Sequence, residues 1–288
     1  MPMDGHMRNI DLQTLLQVTP TGADIFQGVQ ESVEAERVFG GQVLGQALVA
    51  AGRTVDTGIL PHSSHARFLR APSPREPITY RVTRARDGSS FFNREVVAEQ
   101  SIGIVLTMSV SFQRNESGFE HSRPMPAVAD PETLTPFVDL MTPSAHRLSQ
   151  WFQRPRPVEV HYLADPPWDA ADKDQTPSES RVWMRSEPLN TDDPLIHQAA
   201  LMYASDMTIL DSAVLRHGLG WFPNRVRAAT LDHAMWFHAT SRTDSWFLYD
   251  QECPWTGNGR ALVSGSMYSR QGQRLATIVQ EAVLRQPR

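Results

Sequence analysis

Asp206 lies in the apolar run Ile196 to Leu210, flanked by Ala204, Met207, Ile209 and Leu210. A carboxylate on such a helix is most often turned to solvent or paired with an arginine; if buried, it loses water, which raises its pKa and brings it nearer to a useful general base. The usual nucleophile signatures are missing. No G-x-S-x-G elbow occurs. Cys253, the one cysteine, stands beside Pro254 in a Pro/Gly/Asn-rich stretch that reads as a loop with no helix start after it. No H-E-x-x-H or comparable ligand spacing is present, so neither a metal nor a cofactor is expected. Water activated by side chains remains. His62 and His65 could contact a substrate or act in acid–base steps, and equally could be satisfied structural histidines. Asp232 and His233 look like a pair, but neighbours on a strand point to opposite faces and do not serve one site.

The elements that must position these groups read as two copies of one unit. Leu44, Ala47, Leu48, Ala51 and Val55 recur at spacings of three and four, the apolar stripe of an α-helix. Gly40, Gly41, Gly45 and several alanines dilute the stripe, a cost worth bearing where something packs close to the backbone. Short strands follow at His65 to Leu69 and around Ile78, Tyr80 and Val82. A hairpin turn at Asp87-Gly88 leads to Phe91 to Glu99 and Ile104 to Arg114. A short amphipathic helix at Asp11 to Gln17 and a strand at Ile25 to Gln30 precede them. In the second half, strands at Val158 to Leu163 and Arg181 to Arg185 lead into the helix Ile196 to Leu210. Strands at Ala229 to His238, Ser245 to Tyr249, Leu262 to Tyr268 and Leu275 to Leu284 close it. His65-Ala66-Arg67-Phe68-Leu69 aligns with His233-Ala234-Met235-Trp236-Phe237 at an offset of 168. Ala98-Glu99-Gln100-Ser101 aligns with Ser269-Arg270-Gln271-Gly272 at an offset of 171. Residues 115–180 hold ten of the 21 prolines and read as a connection with a helical piece at Ser144 to Phe152. The expected division is a first unit over 1–115, a Pro-rich linker over 116–157 and a second unit over 158–288. By pattern alone the class is α+β with an internal repeat.

Composition sets outer bounds. The 288 residues are 40% hydrophobic and 20% charged with a formal charge of −5, as in ordinary globular proteins. Interspersed charges argue against a nucleic-acid partner. A single cysteine allows no internal disulfide. Met1 to Gln30 has no signal-peptide core, no stretch approaches the roughly 18 apolar residues of a membrane span, and Arg285-Gln286-Pro287-Arg288 is no peroxisomal address. The expected location is the cytoplasm.

Several segments resemble the acyl-CoA thioesterase II family. They are Phe39-Gly40-Gly41-Gln42-Val43-Leu44-Gly45-Gln46-Ala47, His62-Ser63-Ser64-His65 with Phe68-Leu69-Arg70, Arg86-Asp87-Gly88-Ser89-Ser90-Phe91, and Met108-Ser109-Val110-Ser111-Phe112. The second half adds Tyr203-Ala204-Ser205-Asp206, Thr230 to His238, and Val279-Gln280-Glu281. These matches fall in order from about Leu12 to Arg285. The one visible departure is Ala71, which intervenes before Pro72 where the family often has Pro directly after Phe-Leu-Arg.

The resemblance implies a double hot-dog fold, in which each central helix is wrapped by an antiparallel sheet. It implies hydrolysis of acyl-CoA to free fatty acid and coenzyme A by a water that Asp206, Thr230 and Gln280 position. It further implies pairing of chains into a homo-oligomer. Gly40 and Gly41 are expected to let a thioester approach a helix N-terminus whose N–H groups meet the oxyanion. On that view Gly41→Val keeps the fold and loses turnover. His62 and His65 are further substrate-contact candidates. Counting by the repeat places Ser109 where the second copy has Gln280, and Ala, Val and Gly residues near Val49 to Gly52 where it has Asp206, so one working site per chain is expected. Two rivals remain. One is a hot-dog enoyl-CoA hydratase, for which Asp192 and His197 have the Asp–His spacing. The other is a non-catalytic acyl-CoA-binding protein.

Overall fold

The computed structural model describes residues 11–30, 37–142, 144, 148, 156–169, 177–222 and 225–287. The first half holds α1 (Leu12–Leu16), β1 (Val18–Gly22), β2 (Ile25–Gly28), α2 (Gly40–Gly52), β3 (Leu60–Phe68), β4 (Thr79–Asp87), β5 (Phe91–Gln100) and β6 (Gly103–Gln113). A short helix α3 (Phe137–Met141) lies between the halves. The second half holds β7 (Val158–Tyr162), β8 (Glu179–Ser186), α4 (Pro194–Ser205), α5 (Asp211–Arg216), β9 (Arg227–Phe237), β10 (Phe247–Gly257), β11 (Arg260–Ser269) and β12 (Arg274–Arg285). The helical piece expected at Ser144 to Phe152 lies outside the described residues, apart from Ser144 and Leu148.

The twelve strands of the described residues form one antiparallel sheet in the order β1-β2-β4-β5-β6-β3-β9-β12-β11-β10-β8-β7. Reading outward from the central β3–β9 pair, both sides run through corresponding strands in the same sequence. The repeat seen in the sequence is therefore a repeat of topology, and the two copies share one sheet. Both central helices pack inside it and against each other. Helix α2 is buried on every side from Gly41 to Ala51, so its apolar stripe widens to the whole circumference.

The glycines of α2 explain how two buried helices pack so closely. A Cβ at Gly41 would lie 2.4 Å from the Tyr203 carbonyl oxygen, one at Gly45 3.1 Å from the Ala199 carbonyl oxygen, and one at Gly52 2.5 Å from Leu195. The neighbours that need small residues are thus helix α4 and, at Gly45, helix α1, whose Leu16 would lie 2.5 Å from the added Cβ. The motif glutamines are structural: Gln42 donates to the Val29 carbonyl, and Gln46 donates to the carbonyls of Leu15 and Val29 and accepts from the Tyr80 hydroxyl. Helix α4 starts with Pro194 in its first turn and Asp193 as N-cap, whose carboxylate accepts from the Leu195 N–H.

Three expectations are corrected. Cys253 and Pro254 belong to strand β10, and the pairing of β10 with β11 slips between Glu252 and Trp255. A bulge there accommodates a proline that has no N–H to give the ladder. Strand β1 was not expected, since its residues are almost all exposed and carry no burial pattern. The third correction concerns register. His65 is exposed on the outer face, whereas His233 is 1% exposed on the inner face. On β3 it is the neighbouring Ala66, not His65, that is buried on the inner face as His233 is. The one-residue difference turns every side chain to the other face. Ser109 accordingly points outward, and the inward first-copy neighbours are buried Met108 and Val110.

Candidate active site

Asp206 caps the C-terminus of α4 and does not sit within the helix, because the helical hydrogen bonds end at Ser205. There it meets the N-terminus of α2. The Gly41 N–H donates to its carboxylate, and the dipole of α2 favours a negative charge at that end. A Cβ on Gly40 would come 2.5 Å from Asp206 Oδ2, so only glycine lets the first turn of α2 lie on the carboxylate. The opposite wall comes from the sheet. Thr230 on β9 donates its hydroxyl to Asp206 Oδ1 at 3.1 Å, and Gln280 on β12 donates from Nε2 to Thr230 Oγ1 at 3.1 Å. Burial raises the Asp206 pKa to about 6, with the donors Thr230, Gln280 and Gly41 pulling it back down. A base that is ionised at neutral pH yet takes a proton readily is the result.

The chain of donors continues away from Asp206. The His233 ring nitrogen Nδ1 lies 2.5 Å from Gln280 Oε1, and Nε2 lies 3.0 Å from the Ser205 hydroxyl. Sequence reasoning set His233 aside with Asp232. The two do point apart, as Asp232 accepts from the Glu281 N–H on the other face, but it is His233 that faces inward beside Gln280. Alternation of burial along β9 was the signal that could have found it.

The remaining candidates separate clearly. Asp206, Thr230, Gln280, Gly40 and Gly41 come together. His65 does not: it faces outward, edge-on to Trp236 with ring centroids 5.1 Å apart, and lines a groove of about 410 Å³ with Arg67, Glu95, Ser109 and Asp232. His62 lies six residues along β3 from Phe68, whose ring approaches Gly40, a separation of roughly 20 Å on a strand. It stacks edge-on against Phe91 at 5.8 Å, and burial lowers its pKa. Met235 and Phe237 are core residues.

Three further observations narrow the chemistry. Asp192 is exposed and pairs with Arg242, whereas His197 is buried and its ring meets Thr191 and Thr243, so these two residues do not share a site. At the opposite end of the helix pair, the C-cap of α2 is Arg53, which lies 3.1 Å from Asp193 at the N-cap of α4. The first copy thus offers a cation where the second offers Asp206, and not the Ala, Val and Gly residues counted from the sequence. A second buried carboxylate, Asp211, was missed by the sequence reading. Burial raises its pKa to about 6, but its oxygens already accept from the Tyr162 hydroxyl and the Trp221 indole, each at 2.6 Å. Among the described residues no group of three or more His, Cys, Asp or Glu side chains could hold a metal ion. No described helix is long and apolar enough to cross a membrane.

Comparison with known proteins bears on the family and the fold. Residues 30–113 match the family model described as acyl-CoA thioesterase N-terminal domain, and residues 126–284 match the acyl-CoA thioesterase C-terminal domain. Human acyl-coenzyme A thioesterase 8 is 34% identical over 98% of this chain and 91% of its own length. The crystal structure of an acyl-CoA thioesterase II from Mycobacterium marinum superposes with a TM-score of 0.79 at 35% identity, covering 96% of this chain and 98% of that one. A hot-dog protein of unknown function from Alicyclobacillus acidocaldarius, 20% identical, shares the fold with a TM-score of 0.77 over 96% of this chain and 98% of its own.

Proposed function

Since the chain belongs to the acyl-CoA thioesterase II family, and is thus a double hot-dog thioester hydrolase, we propose that Asp206, Thr230 and Gln280 hold and activate the water that attacks the acyl-CoA carbonyl. The observation that carries this reading is the unbroken donor chain from Gln280 through Thr230 to a carboxylate whose pKa lies near 6. Ionised Asp206 takes a proton as the water oxygen bonds to the carbonyl carbon. The tetrahedral intermediate then collapses, the C–S bond breaks, and the proton passes from Asp206 to the departing thiolate. The products are a fatty acid and coenzyme A. Thr230 holds the carboxylate in orientation, and the Gln280 amide holds Thr230 and donates to the same carboxylate. Catalysis by such a positioned base contributes typically 10²–10⁴-fold.

The first copy supplies the glycines on which Asp206 rests, and the second supplies the three polar side chains, so the chain carries one site. Gly40 and Gly41 serve by letting α2 approach Asp206. Substrate contact by His65 is disfavoured by its outward direction. The hydratase reading loses its residues, because Asp192 and His197 lie apart. A homo-oligomeric, cytoplasmic protein fits the family resemblance and the single unpaired cysteine, which suits a reducing compartment.

Thiol release from palmitoyl-CoA and from a series of shorter acyl-CoAs, set against hydration of crotonyl-CoA, tests the activity. Thiol release with no hydration is expected; hydration without thiol release would overturn the assignment.

A further inference from the structure

Resting on the role given above to Gln280, we infer that His233 is a positioning residue that fixes the Gln280 amide in the one orientation that serves the water. The directions of the hydrogen bonds lead there step by step. Ionised Asp206 can only accept, so the single proton of Thr230 goes to it. Thr230 Oγ1 must then accept, which requires the NH2 end of Gln280 on that side. The carbonyl end, Oε1, is left facing His233 Nδ1, and since Oε1 only accepts, Nδ1 carries the proton. The other ring nitrogen holds a lone pair toward the Ser205 hydroxyl, whose single proton is divided between that nitrogen and the Met202 carbonyl oxygen at 2.7 Å. Ser205 is the last residue of α4 and the neighbour of Asp206, so consecutive residues clamp the ring and carry the base.

Both groups are sealed from water, with Gln280 at 0% and His233 at 1% exposure. A turned amide would set Oε1 against Thr230 Oγ1, with no solvent to relieve the contact, and would require the His233 proton to move from Nδ1 to Nε2. Burial also pushes the His233 pKa down to about 4. The ring stays neutral around neutral pH and keeps one N–H and one lone pair. The first copy has no counterpart of this lock, because its inward residues at the matching strand pairs are Ser64 or Ala66 with Val110 or Met108.

The experiment uses the full chain and steady-state thiol release from palmitoyl-CoA with His233→Leu, His233→Asn, His233→Gln, Gln280→Ala and the double variant His233→Leu/Gln280→Ala. Leucine removes the donor and leaves Gln280 Oε1 buried without a partner, which corresponds to roughly 10- to 100-fold in rate. That loss is expected in kcat, with KM within about threefold. Asparagine places an N–H two bonds beyond Cβ, as Nδ1 of histidine does, and is expected to recover kcat to within about threefold to fivefold of the original protein. Glutamine places its N–H one bond farther, near Nε2, and is expected to stay impaired. The double variant is expected to be no slower than Gln280→Ala alone, because His233 acts through that amide. Full kcat in His233→Leu, equal impairment of the Asn and Gln variants, or an additive loss in the double variant would overturn the inference. If His233→Leu does not fold, the Asn and Gln pair decides. Full turnover in Gln280→Ala would instead refute the role of Gln280 itself, so the two failures are distinct.

Discussion

Replacing Asp206 by Asn should make the protein more stable, and only where the native carboxylate is ionised. Burial raises the pKa of Asp206 from 3.8 to about 6. Below both values the native and unfolded chains are each protonated and no cost arises. Between them the native state holds its proton more tightly, so stability falls as pH rises through this window and the cost is complete above pH 6. Moving the carboxyl from 3.8 to about 6 corresponds to about 3 kcal/mol. The residue is half-buried, and solvent on its open side reduces this to about 1–2 kcal/mol. His233 has the opposite sign: burial lowers its pKa to about 4, so its contribution is lost as pH falls from 6.5 toward 4. Comparison of the variant with the original protein at each pH cancels that term, along with any hydrogen bond that Asn makes differently at all pH values. Urea unfolding followed by tryptophan fluorescence at pH 4 and pH 8 provides the assay. The advantage of Asp206→Asn should grow by about 1–2 kcal/mol from the lower to the higher pH. A difference that is flat with pH, or that shrinks, would refute the claim that a desolvated, ionised carboxylate sits at the end of α4.

Two further outcomes follow from the geometry. Gly41→Ala, and more so Gly41→Val, should lower the urea midpoint by an amount equivalent to about 1–3 kcal/mol, because the added Cβ meets the Tyr203 carbonyl oxygen at 2.4 Å and a backbone atom cannot turn aside. The expectation that Gly41→Val would keep the fold and lose only turnover is thereby replaced. His65→Ala should leave kcat and KM within about twofold in a thiol-release assay, since the ring lies on the outer face of the sheet.

The fold was legible wherever periodicity was strong. Leu44, Ala47, Leu48 and Ala51 announced α2, and the alternation of Leu106, Met108, Val110 and Phe112 announced β6, because each pattern reports a buried face. What the sequence hid had physical causes. Strand β1 buries almost nothing and so has no hydrophobic pattern to read. Pro254 argued for a loop, yet a bulge lets β10 run through it. Of the site, Asp206, Thr230 and Gln280 were reached through family resemblance, and their hydrogen-bonded chain is a fact of three dimensions, spanning α4, β9 and β12. Counting offsets gave the right scale for the repeat but missed its register by one, enough to pair exposed His65 with buried His233 and outward Ser109 with inward Gln280. Bulges and turns of unequal length absorb single residues, so offset alone does not settle which face a strand residue occupies. For the same reason the adjacency of Asp232 and His233 concealed that one of them belongs to the site.

The proposed hydrolysis depends on Asp206 as the base. Thiol release from palmitoyl-CoA should be measured for Asp206→Ala, shown to be folded by its circular dichroism and urea midpoint, beside the unaltered protein at pH 8. A loss of at least about a hundredfold in kcat is predicted, the lower end of what a positioned base supplies. Undiminished thiol release by the folded variant would contradict the account.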